Sequence, residues 1–317
     1  MQGKTLAVAG LGLLGRGIVA CALAHGYRVV AYTRSEATHA AARQYIAQAI
    51  DELIERADFP AALRASWPGR YTTTNSVTDL AAADFVVETI VEDLQAKHEL
   101  FDALEAVAAA ELPIAGNTSS LSIASLQQGR RHPERFVGLH WSEHPHLTRF
   151  IEIIRGELTG DATADAAIAL AESMGKDPGV VRKDVPAFIV NRIAYAMYRE
   201  ALHLVDSGVA DVETIDRSVR NALGLWAAFC GPFRWIDTTG GPAMYGRAMN
   251  RVFPTLSNAA AVPEFAQRLI DAGAGGAPDG RGFFDYAAGE AEEWERRFRD
   301  HVWEIRRLQT PQPGESS

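Results

Sequence analysis

Short apolar runs alternate with helix-length amphipathic segments from Lys4 to about Lys183. Runs of four to eight apolar, β-branched residues bounded by turn formers predict buried strands, and their alternation with helices predicts βαβ units and a parallel sheet. The expected strands are 5–10 (TLAVAG), 27–33 (YRVVAYT), 84–89 (DFVVET), 112–117 (LPIAGN), 135–141 (RFVGLHW), 150–156 (FIEIIRG) and 179–183 (GVVRK). A first helix is expected over about 13–25, ending at Gly26. A second starts near Ser35 and is stopped by Pro60, a turn and a short helix follow over 59–69, and the last helix of this half runs from Asp161 to Gly175.

Past Asp184 the alternation gives way to helical spacing alone, in 188–208 and 212–224, with Gly208 and Gly224 as stops. Val185-Pro186 is the expected hinge, because the residue before proline is pushed out of helical geometry. The fold class expected is a doubly wound, mostly parallel α/β Rossmann domain over 1–184, followed by an all-α domain over 185–309. A glycine-rich loop at 271–282 precedes a charged helix at 289–308, and a disordered tail is expected at 310–317.

Composition narrows the partners. Lys plus Arg is 31 and Asp plus Glu is 40, so 31 − 40 leaves a net charge of −9. That balance, with no basic tract, argues against nucleic acid. No window approaches the roughly 18 apolar residues of a membrane span. With no recognisable export leader and only two distant cysteines, Cys21 and Cys230, a reducing cytoplasm is the expected location. Two thiols make neither a disulfide framework nor a metal cluster.

The first candidate chemistry is Gly10-x-Gly12-x-x-Gly15, with Leu13 and Leu14 between the last two glycines, set between the first strand and the first helix. In that context Gly10 permits a tight turn, Gly12 lets backbone approach a pyrophosphate, and Gly15 lets helix and strand pack closely. The helix N-terminus then offers free N–H groups to phosphate. At the end of the second strand, where an NAD site usually carries Asp or Glu for the ribose 2′-OH, the chain has Thr33-Arg34-Ser35. A guanidinium and two hydroxyls suit a 2′-phosphate, so NADP(H) is favoured, with NAD(H) possible through Glu36 as ribose acceptor.

Asn117-Thr118-Ser119-Ser120, His140 and Glu152 fall at strand ends or edges, where ligands of open α/β sheets bind. A histidine suits removal of a proton from an alcohol as hydride leaves, and a neighbouring carboxylate would fix its tautomer. The alternative is that His140 and Glu152 simply satisfy one another in an apolar strand.

These segments make the chain recognisable. The fingerprint AVAGLGLLGRG, VVETIVEDLQAKHELF (86–101), GNTSSLSI (116–123), RFVGLHW through IEIIRG (135–156), KDVPAFIVNR (183–192), GPF (231–233) and GRGFFDY (280–286) occur in an order that resembles the 3-hydroxyacyl-CoA dehydrogenase superfamily. The resemblance implies a Rossmann domain followed by a helical domain that makes a homodimer, with substrate held between the domains. It implies a His140–Glu152 dyad, with Ser119 and Asn191 at the reacting oxygen. Glu92 and Lys97 fall at family positions near the cofactor, and Thr89-Ile90 where the chain passes the nicotinamide ribose.

The match breaks after the histidine. Acyl-CoA enzymes typically continue there with two aromatics and Asn-Pro, whereas this chain has Trp141-Ser142-Glu143-His144-Pro145-His146, and no lysine lies between Lys4 and Lys97. The expectation is therefore a dehydrogenase of a small polar hydroxy acid or its keto acid, without a metal. A CoA thioester is the runner-up, and a non-catalytic crystallin-like dinucleotide-binding protein is third. His146 and Arg149 are candidates for a substrate carboxylate, the alternative being solvated rim charge.

Overall fold

The computed structural model describes residues 3–309 and divides the chain into two compact units, up to Val190 and from Asn191 onward. The expected tail at 310–317 lies outside the described residues.

The first unit is an eight-stranded sheet in the order β3-β2-β1-β4-β5-β6-β7-β8. Its strands are β1 (Thr5–Ala9), β2 (Arg28–Tyr32), β3 (Tyr71–Thr74), β4 (Phe85–Glu88), β5 (Ile114–Gly116), β6 (Phe136–Trp141), β7 (Phe150–Ile154) and β8 (Asp177–Val181). All neighbours are parallel except β6 and β7, which run antiparallel. The order reverses between β1 and β4, which places a crevice beyond their C-terminal ends.

Both faces of the sheet are covered, so its central strands are apolar on both sides rather than alternating. Helices α1 (Leu13–Ala24) and α2 (Glu36–Arg56) and the helix Asp161–Ser173 bury Ile18, Ile46 and Leu170 on one face. The helices Leu94–Glu105 and Ile123–Gln127 bury Phe101, Leu104 and Leu126 on the other. Ser35 starts α2 as expected, its hydroxyl accepting from the Thr38 amide at 3.3 Å.

Three features depart from expectation. Strand β3, YTTT, pairs with β2 at the sheet edge although it carries no apolar alternation. The division falls after Val190 rather than at 184/185, because Phe188 is buried among first-unit residues and the Ile189 and Val190 amides are bound to Glu152. Gly224 does not stop a helix: Val212–Ser218 opens into a wider i→i+5 turn at Val219–Leu223 and continues as Gly224–Ala227.

The second unit is helical, with longer helices at Val190–Asp206, Gly241–Val252 and Glu290–Leu308. Among the described residues no helix is long and apolar enough to cross a membrane.

Candidate active site

The three fingerprint glycines have three different physical reasons. Gly10 holds φ +109°, and a Cβ there would collide with the Thr89 carbonyl at the end of β4. A Cβ at Gly15 would collide with the Gly10 carbonyl oxygen and lie 2.9 Å from Thr89 Cγ2. At Gly12 a Cβ would meet nothing within 4 Å, so this glycine faces open space. Helix α1 starts there with no side-chain cap and no acid in its first turn. Its leading N–H groups and positive dipole end are left to a ligand, and the donors suit a pyrophosphate.

The Thr89 amide donates to the Ala9 carbonyl at 2.7 Å and the Asn117 amide to the Glu88 carbonyl at 2.8 Å. The ends of β1, β4 and β5 therefore meet, bringing Gly10, Thr89, Ile90 and Asn117 to one edge of the crevice. Asn117 fixes this edge further, its Nδ2 donating to Thr89 Oγ1 at 3.2 Å and its Oδ1 accepting from the Trp141 amide at 3.3 Å. Leu13 is exposed in the first turn of α1 and Leu14 half-buried beside it. Thr33 is half-buried just past β2, with Arg34 and Ser35 exposed.

His140 and Glu152 are direct cross-strand partners in the antiparallel β6–β7 pair. Opposed residues of such a pair project from the same face of the sheet. His140 Nδ1 lies 2.8 Å from Glu152 Oε2, and His140 Nε2 lies 3.1 Å from Ser119 Oγ. An ionised carboxylate only accepts, so Nδ1 carries the proton and Nε2 presents its lone pair towards Ser119. The other Glu152 oxygen accepts the Ile189 and Val190 amides at 3.0 and 2.9 Å. Burial pushes the Glu152 carboxyl up, but the His140, Val190 and Ile189 hydrogen bonds outweigh it and hold the group below the usual carboxylate range. Phe150 and Phe188 pack on the imidazole with centroids at 5.9 and 5.3 Å. The ring is thus fixed by a carboxylate, a hydroxyl and two aromatics.

Lys97 and Glu88 are wholly enclosed and paired at 2.8 Å, and Lys97 also lies 3.4 Å from Glu92. Burial pushes Glu88 up to about 7 despite the lysine. Sequence reasoning missed this pair, because a charge at a strand end reads as exposed; the available signal was a glutamate closing the apolar run FVVE. It also missed Phe188 and the amides behind it. His146 is buried with Nε2 3.1 Å from Glu52 of α2, so that nitrogen serves the fold. Arg149 lies 3.8 Å from Asp177. Asn191 stands in the first turn of the helix Val190–Asp206, in the second unit. No group of three or more His, Cys, Asp or Glu that could hold a metal occurs among the described residues.

Comparison with known proteins identifies the family. Residues 5–185 match the NAD binding domain of 3-hydroxyacyl-CoA dehydrogenase, and residues 188–286 match its C-terminal domain. The chain belongs to the 3-hydroxyacyl-CoA dehydrogenase family. It is accordingly a nicotinamide-dependent dehydrogenase acting on a CH–OH group. The 5-formyl-3-hydroxy-2-methylpyridine 4-carboxylate 5-dehydrogenase of Mesorhizobium japonicum is 31% identical over 306 residues, 96% of this chain and 98% of the relative. A crystal structure of a dehydrogenase of that name, called an NAD+ dependent dismutase, superposes with a TM-score of 0.90 at 31% identity, covering 97% and 98% of the two chains. The L-carnitine dehydrogenase of Pseudomonas syringae pv. syringae is 35% identical over 271 residues, 84% of each chain. The (S)-3-hydroxybutyryl-CoA dehydrogenase of Ralstonia eutropha superposes at 0.75, with 30% identity over 90% of this chain and 99% of that one.

Proposed function

We propose that this family member reversibly oxidises the hydroxyl of a small polar hydroxy acid, or a related alcohol, to the ketone, with His140 as the base. The observation that carries the reading is the Ser119–His140–Glu152 chain of hydrogen bonds at the sheet edge. An oxygen bridging Ser119 Oγ and His140 Nε2 is hydrogen-bonded by the serine as it loses its proton to the imidazole. Glu152, already ionised, offsets the imidazolium charge and keeps Nδ1 in place. Gly10, Gly12, Gly15, Thr89 and Ile90 would hold the nicotinamide dinucleotide, which would supply the acceptor for the hydride leaving the carbinol carbon. The resemblance adds Asn191 as a second donor to the reacting oxygen.

A free acid is favoured over a CoA thioester by the closer superposition on the pyridine-carboxylate enzyme, 0.90 against 0.75, and by the polar segment after His140. A panel of hydroxy acids and acyl-CoA thioesters, followed by nicotinamide absorbance, decides between them; turnover of thioesters alone refutes the free-acid reading. His140→Gln keeps a hydrogen-bonding side chain that cannot take the proton, so kcat should fall about 10²- to 10⁴-fold with dinucleotide affinity unchanged. Normal turnover by that variant would return the dyad to a structural role.

NADP(H) is the dinucleotide preferred in this reading, because the end of β2 offers Thr33, the exposed Arg34 and Ser35 where a ribose-binding carboxylate would otherwise stand. Arg34→Ala should weaken NADP(H) by roughly 1 to 3 kcal/mol and leave NAD(H) unchanged. Equal losses for both dinucleotides would sink the preference. The exposed apolar residues of the second unit support a homodimer, and a sequence with only two cysteines, Cys21 and Cys230, supports a reducing cytoplasm.

A further inference from the structure

The turn carrying Ser119 is anchored to a buried ionic group that the proton transfer itself does not use. Lys97 Nζ donates to both Glu88 oxygens at 2.8 Å and to the Asn117 carbonyl at 3.2 Å, and it lies 3.4 Å from Glu92 Oε2. An ammonium has three protons, and three groups (Glu88, the Asn117 carbonyl and Glu92) surround this one. Glu92 Oε1, on its other side, accepts from the Thr118 hydroxyl, the Ser119 amide at 3.1 Å, the Ser120 amide at 3.1 Å and the Ser120 hydroxyl at 2.9 Å. One carboxylate oxygen thus gathers three consecutive residues, the middle one being the serine that meets His140 Nε2 at 3.1 Å. Burial pushes Glu92 up, but Thr118, Lys97 and Ser120 together hold it below the usual carboxylate range, so it gathers those donors as an anion.

We propose that Glu92, braced by Lys97 against Glu88, is a positioning residue that sets the Ser119 hydroxyl against His140. The proposal rests on the reading of His140 as base and Ser119 as donor. It gives Glu92 and Lys97 a role different from the cofactor contact that the resemblance implies. The Lys97 side chain is wholly enclosed and has no surface to offer a dinucleotide, while Glu92, although 38% exposed, has Oε1 taken up by the turn and Oε2 beside Lys97. Without the carboxylate, two amides and two hydroxyls of the turn lose their common acceptor. A displacement of about 1 Å at a reacting group costs on the order of 10²-fold in rate.

The test compares kcat with dinucleotide affinity. Glu92→Ala should lower kcat roughly 10- to 100-fold while the dinucleotide Kd, read by fluorescence titration without substrate, stays within about twofold. Glu92→Gln retains a carbonyl oxygen for the same donors and should recover most of the rate. In a Ser119→Ala background, Glu92→Ala should lower kcat by less than about threefold further, since residues acting through one another are not additive. If Glu92→Ala does not fold, Thr118→Val cuts the turn from the carboxylate, leaves the Lys97 pair intact, and should show the same split in milder form. A raised Kd at unchanged kcat would make Glu92 a cofactor ligand and overturn the proposal, as would an undiminished effect in the Ser119→Ala background. Full activity in both Ser119→Ala and His140→Gln would show instead that the underlying reading had failed.

Discussion

The two units use similar apolar residues to opposite effect. In the first, Leu6, Ile18, Phe101 and Val137 are fully enclosed between sheet and helices. In the second, only Ala266 and Trp303 are buried among the described residues, while Ile193, Tyr195, Phe229 and Phe233 expose 60%, 64%, 67% and 82% of their surface. A sheet covered on both faces completes its own core, because every strand adds apolar surface to two layers. An amphipathic helix has one apolar stripe, and a stripe left uncovered leaves a patch of the kind that marks an interface. The residues proposed to carry the chemistry, His140, Glu152 and Ser119, sit on the self-sufficient unit, where strand register pairs the first two.

The contrast predicts unequal responses to the same substitution. Phe101 is enclosed and packs edge-on against Phe136 with centroids 5.0 Å apart. Phe101→Ala should lower the unfolding free energy by about 3 to 5 kcal/mol, measured by urea denaturation, because both transfer energy and a cavity are lost. A loss below about 1 kcal/mol would mean that the first unit is far looser than its burial indicates.

Phe233 is the complementary case, since in a single copy its ring is mostly in water. If a second copy covers that face, each copy gains roughly 1.5 to 3 kcal/mol from burying the ring. Phe233→Asp should then shift light-scattering mass from dimer towards monomer, and the wild-type Tm should rise with protein concentration. A wild-type protein that is monomeric at micromolar concentration, with a concentration-independent Tm, would remove the homodimer and leave the contrast between the units unexplained.

What could be read from the residues follows the same division. The fingerprint was legible because Gly10, Gly12 and Gly15 fall within six residues of chain between a strand and a helix, although the space that Gly10 and Gly15 leave is also claimed by the distant Thr89. The His140–Glu152 pair was legible because the two sit opposite each other on consecutive strands. Strand β3 was not, because YTTT owes its conformation to pairing with Val29–Tyr32 rather than to its own pattern. Nor was the Glu88–Lys97–Glu92 group, since a charged residue looks the same in sequence whether solvated or enclosed by partners. The substrate stays the least legible part, because it depends on what approaches Ser119 and His140 rather than on what holds them.

The smallest expected effect concerns the segment that closes the first unit. Ala187 and Phe188 hold φ at +66° and +52°, a left-handed pair without a glycine. The Phe188 amide donates to the Val185 carbonyl at 3.0 Å, and the next two amides bind Glu152. These bonds, with the burial of Phe188 against the His140 ring, hold the chain where an L side chain is disfavoured. Such strain costs on the order of 1 to 3 kcal/mol per residue, and a glycine escapes it while adding about 0.5 to 1 kcal/mol of unfolded-state entropy. Ala187→Gly should therefore stabilise the protein by about 1 kcal/mol, seen as a modest rise in Tm, with kcat unchanged because Phe188 and Glu152 keep their places. Ala187→Val should do the reverse, since a β-branched residue tolerates positive φ least. If Ala187→Gly instead lowers both Tm and kcat, the strained pair is needed to hold Phe188 against the imidazole, and the second unit begins at a segment the active site depends on.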